Sequence, residues 1–90
     1  MSFTLAGHIT WTRTEYGMVL LDEAKGAYWN LNPTGVTVLQ VLLDSGDLDV
    51  AATALAQEHA VDMDTARADA DELLSALRSA GLVLERGQRD

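Results

Sequence analysis

The sequence has no cysteine, a single proline and only six lysines and arginines in ninety residues. Without cysteine there is no disulfide, no thiolate nucleophile and no cysteine–zinc site. Fourteen acids against six bases leave a net charge of −8 and a pI near 4.4. A nucleic-acid surface displaces counterions from phosphates with Lys and Arg. This chain is poor in both, so no nucleic-acid partner is expected. No apolar run approaches the roughly 20 residues of a membrane helix, so no membrane partner is expected either. The opening stretch, "MSFTLAGHITW", has no basic segment followed by a long apolar run and does not read as a signal peptide. The expected location is the cytoplasm. The glycines form neither GxGxxG nor GxxxxGK, so no phosphate-binding loop is present.

What is there suffices for one folded domain over residues 1–90. The hydrophobic fraction is 48%, enough for a real core and against disorder despite the charge. "HITWTRT" alternates, with Ile9, Trp11 and Arg13 on one side and Thr10 and Thr12 on the other. "GMVLLDE" is almost continuously apolar, as in a central strand. "AYWNL" reads as a third strand. Strands joined by short connections pair as neighbours, so the three form a meander whose third strand lies at an edge.

The switch to helix is sharp. Asn32 can cap and Pro33 fits the first helical position, starting a helix that runs to about Asp44. A second spans about Leu48 to His59 with Asp47 as its cap. A third follows the cap Asp62 to about Ala80, with an apolar stripe at Ala66, Ala70, Leu73, Leu74, Leu77 and Ala80. Gly81 fits a Schellman ending with Leu82 packed back on Leu77. "LVLER" reads as a short terminal strand or extended tail, and residues 1–6 and 86–90 are expected to fray. The fold class is α+β: a three-stranded antiparallel meander followed by three helices, winged-helix-like.

Little in the chain points to catalysis. His8 and His59 lie in different elements, and neither has a second histidine at helical spacing. The serines lack a nucleophile-elbow context. Asp62/Asp64 and Asp69/Asp71 lack calcium-loop spacing with its glycine, and acids near helix starts complement the dipole or face water. No enzyme, metal or cofactor is expected. In a winged-helix DNA reader the third helix would need Arg, Lys, Asn or Gln near its start. Here that start is "DMDTARADADE", which repels phosphate.

A meander ending in "YWNLNPTG", an apolar helix, and then "LDVAATALAQEHAVDMDTARADADELLSALRSAGLV" together resemble the PqqD-like family of RiPP recognition elements. These are the peptide-recognition domains of ribosomal natural-product pathways. The resemblance spans about Ile9 to Val83 and rests most on Leu31-Asn32, Thr34-Gly35 and the ending Leu77 to Leu82. A stand-alone acidic domain of this length is most similar to the leader-binding proteins of lasso-peptide biosynthesis.

The resemblance implies a non-catalytic protein that binds the leader of a precursor peptide as a strand added to the third strand, in a groove walled by the third helix. The leader would then be presented to a leader-removing cysteine protease. A peptide chaperone of a quinone-cofactor pathway and a winged-helix adaptor or regulator are the alternatives. The implied leader-binding residues are Ala27, Tyr28, Trp29, Asn30 and Leu31 on the strand, and Asp69, Glu72, Leu73, Ala76 and Leu77 on the helix. On the strand, Trp29 and Leu31 share one face and Tyr28 and Asn30 the other. Leu31 is assigned to the core, Trp29 to part core and part pocket wall, and Tyr28 to the open face. An edge strand offers unpaired backbone groups to a guest; it also allows a weak edge-paired dimer beside the monomer.

Overall fold

The computed structural model describes residues 2–86. Eight elements follow in order: β1 (Ser2–Leu5), β2 (Ile9–Thr14), β3 (Gly17–Asp22), β4 (Ala27–Leu31), α1 (Pro33–Ser45), α2 (Leu48–His59), α3 (Met63–Ser79) and β5 (Val83–Arg86). The α+β expectation holds. The meander is β2-β3-β4, antiparallel throughout, with the helices after it. The three strands expected from the sequence are thus β2, β3 and β4.

The chain ends depart from expectation. Residues 1–6 were expected to fray, but Ser2–Leu5 pair antiparallel with Val83–Arg86, Ser2 opposite Arg86 and Leu5 opposite Val83. Phe3, Ala6 and Val83 are buried in the main core, and β1 packs against α1. Burial of Phe3 drives this order; an apolar side chain with a place in the core offsets the entropy that frees most chain ends. Arg86 belongs to β5, and the expected fraying of 87–90 lies outside the described residues.

Each helix begins on the side chain named from the sequence. The Asn32 carboxamide oxygen accepts from the Gly35 N–H at 2.9 Å, with Pro33 in the first turn. The Asp47 carboxylate accepts from the Asp49 N–H at 2.9 Å, and that of Asp62 from the Thr65 N–H at 3.2 Å. These bonds satisfy donors that a helix start leaves orphaned. At the end of α3 the Leu82 N–H donates to the Leu77 carbonyl at 3.0 Å and the Gly81 N–H to that of Arg78 at 3.1 Å. Gly81 has φ +75°, so this is the Schellman pairing, and Leu77 and Leu82 are both fully buried.

The core lies between the helices and one face of the meander. Leu20, Leu31, Val38, Leu39, Leu42, Leu55, Leu74 and Leu77 belong to a single cluster. Small residues let the helices approach: Ala51, Ala52, Ala66 and Ala70 are completely buried. Ala52 gives little signal in the sequence, because an alanine adds little to a hydrophobic pattern yet fits where helices pack closely.

Candidate functional site

The hydrogen bonds at the ends of β3 define which backbone groups are spent inside the sheet. The Gly26 N–H donates to the Asp22 carbonyl at 2.7 Å, and the Glu23 N–H to the His8 carbonyl at 3.0 Å. Peptide groups alternate in direction along a strand. Even-numbered residues of β3 therefore bond β4, and odd-numbered ones bond β2. In β4 the partners of the even residues are Ala27, Trp29 and Leu31. The N–H and C=O of Tyr28 and Asn30 consequently point away from the sheet. β5 pairs with β1 and not with β4, so among the described residues these groups have no strand beside them.

The hairpin that presents this edge is built on a buried charge. Asp22 is 2% exposed, and its Oδ1 accepts from the N–H groups of Ala24 at 3.0 Å and Lys25 at 3.1 Å. The His8 Nε2 lies 3.6 Å from the same oxygen. A carboxylate that accepts from two backbone donors in a turn satisfies its own desolvation and holds the turn.

Beside the C-terminal end of β4 opens a cleft of about 730 Å³. Its strand side is formed by Thr14 and Tyr16 of the β2–β3 hairpin, Met18 and Val19 of β3, and Asn30 and Leu31 of β4. The start of α1 contributes Asn32, Thr34, Gly35 and Val38, and α2 contributes Leu55. The opposite wall is α3, through Asp69, Glu72, Leu73 and Ala76. These four recur at helical spacing on one side of α3, next to the stripe Ala66, Ala70, Leu74 and Leu77 that faces the core. The lining is mainly apolar, through Leu31, Val38, Leu55, Leu73 and Ala76, while Asp69 and Glu72 are exposed along its α3 side.

Of the ten residues named from the sequence, the cleft brings together Asn30, Leu31, Asp69, Glu72, Leu73 and Ala76. Ala27 and Tyr28 lie on the β4 edge outside it, Tyr28 being 68% exposed. Trp29 is half-buried against the core, on the helix-facing side, and does not line the cleft. Leu77 is completely buried and offers no surface. Sequence reasoning missed the contribution of the β2–β3 hairpin. Tyr16, in the turn between β2 and β3, lines the cleft. The stretch Asn32 to Gly35 was read as a helix start, and it is also cleft wall.

Gly17 shows how closely the strands meet here. A side chain there would collide with the Leu31 carbonyl oxygen, and its φ of +154° is one that L-residues rarely adopt. Among the described residues no group of three or more His, Asp or Glu is placed to hold a metal ion. Among the described residues no helix is long and apolar enough to cross a membrane.

Comparison with known proteins fits this geometry. The family model described as coenzyme PQQ synthesis protein D (PqqD) matches residues 17–83. A solved structure described as lasso peptide synthetase B1 complexed with the leader peptide is 36% identical, with a TM-score of 0.85 over 94% of this chain and 100% of that one. TbiB1 in complex with the TbiA(beta) leader peptide is 22% identical, with a TM-score of 0.79 over 98% of this chain and 100% of that one, and shares the fold. No curated protein matches the chain. The chain belongs to the PqqD family, and the resemblance to PqqD-like recognition elements drawn from the sequence is borne out.

Proposed function

We propose that this protein binds the leader segment of a ribosomally made precursor peptide. The leader lies antiparallel or parallel to β4 as an added strand, and its side chains on one face enter the cleft against α3. The protein carries out no chemistry of its own. It acts in the cytoplasm, as a monomer or a weak edge-paired dimer, and presents the precursor to a leader-removing cysteine protease in lasso-peptide maturation. The observation that carries this reading is the juxtaposition of an unpaired β4 edge with an apolar cleft. Edge and cleft together supply the two things strand addition uses: backbone groups for affinity and side-chain pockets for choice. The similarity to a lasso peptide synthetase B1 solved with its leader supports it.

The energetics are compatible with a modest, reversible complex. The outward N–H and C=O of Tyr28 and Asn30 contribute about 1 kcal/mol net per hydrogen bond made. Apolar area buried in the cleft adds roughly 25 cal/mol per Å², against the entropy of ordering the guest. Calorimetric titration with leader peptides of lasso-peptide precursors tests the reading. Saturable binding at micromolar concentration is expected, and absence of heat at several hundred micromolar would refute it.

The family description favours a second reading, a peptide chaperone of a quinone-cofactor pathway. The two differ in their guest: a precursor of the quinone pathway would compete for the same edge only under this second reading.

A further inference from the structure

The charge around the cleft is one-sided. Its lining includes two carboxylates, Asp69 and Glu72, and no lysine, arginine or histidine. The cations on α3 are engaged elsewhere: Arg67 pairs with Asp49 at 2.8 Å and Arg78 with Glu85 at 3.2 Å. Among the described residues neither Asp69 nor Glu72 has an ion-pair partner. The two stand three residues apart on α3, in the turn just before Leu73, which enters the apolar part of the cleft. A guest side chain resting on Leu73 thus brings its chain neighbours to the carboxylates. Low-dielectric walls focus such a field on whatever enters.

We propose that the guest carries a lysine or arginine next to the apolar or aromatic residue that fills the cleft, and that Asp69 and Glu72 select it. This rests on the reading of the cleft and β4 edge as a peptide site. The long aliphatic stem of a lysine or arginine covers apolar surface while its head reaches the rim, which suits an apolar floor bordered by acids. Such rim pairs discriminate among guests more than they hold them.

The test is selection from a library of random 12-residue peptides displayed on beads, sorted on the wild-type protein and on the Asp69→Asn, Glu72→Gln double variant. Wild type is expected to enrich peptides with Lys or Arg adjacent to an aromatic or large aliphatic residue, and the variant to lose that bias while still retaining peptides. In titrations of one selected peptide, its Lys→Gln form should bind wild type about threefold to tenfold more weakly, and the difference should vanish on the variant. Retained peptides without cation enrichment, or a bias that persists in the variant, overturn this inference and leave the peptide site standing. If no peptide is retained even by wild type, the peptide-site reading itself fails and this inference with it.

Discussion

A side chain on Gly17 would run into the carbonyl oxygen of Leu31. The β2–β3 hairpin and the end of β4 are thereby locked together at the rim of the cleft. Gly17→Ala should lower unfolding free energy by at least about 2 kcal/mol, since it adds both a collision and an unfavourable φ. Chemical denaturation measures this directly. A loss below a few tenths would mean that the strands can part there freely.

Asn30 turns its backbone N–H outward, so Asn30→Pro removes a donor that β3 does not use. Proline is tolerated on edge strands for this reason. The variant should stay folded by circular dichroism and bind leader about tenfold more weakly, while Asn30→Ala binds nearly as wild type does. Equal binding by both variants would exclude pairing of the guest along β4.

Leu73 is half-buried on the cleft wall, not in the centre of the core. Leu73→Arg should leave the thermal transition cooperative and lower leader affinity by about tenfold or more, because a charged side chain then fills the apolar recess. Unchanged affinity in a folded variant would place the guest elsewhere.

Asn32 accepts from both the Gly35 N–H and the Thr34 hydroxyl, the latter at 2.8 Å. Asn32→Ala should cost about 1 kcal/mol of stability, and Asn32→Asp much less, since a carboxylate accepts the same bonds and suits a helix start. Urea denaturation of the pair separates a capping role from a packing one.

Phe3 is 8% exposed within the main core. Phe3→Ala should destabilise the fold by about 3 kcal/mol. A frayed N-terminus would give no change, so the midpoint in guanidinium decides between an ordered and a loose β1.

These residues also mark where local chemistry in the sequence was sufficient and where it was not. Asn32, Asp47 and Asp62 announced the helices because a cap acts on donors only two or three residues away. The edge position of β4 followed from short connections between successive strands. The pairing of β1 with β5 had no such signal: Ser2 meets Arg86 across nearly the whole chain, and no turn joins them. Asp22 ended an apolar run and gave no hint that its carboxylate is buried in a hairpin turn. Tyr16 reached the cleft only through the packing of its hairpin against α1, a tertiary effect that no window of neighbouring residues contains. Leu77 lay on the same helical stripe as Leu73, and a stripe read from spacing does not say which member faces the protein and which its visitor.

The short ladder that closes Ser2 onto Arg86 is separate from the sheet that contains β4. Entry and exit of the described chain therefore coincide at one spot, like the two wires of a plug. A host protein can accept this module as an insertion in a surface loop, or a circular variant can be made by bridging the spot with a few residues, and the open border of the meander keeps its shape in either format.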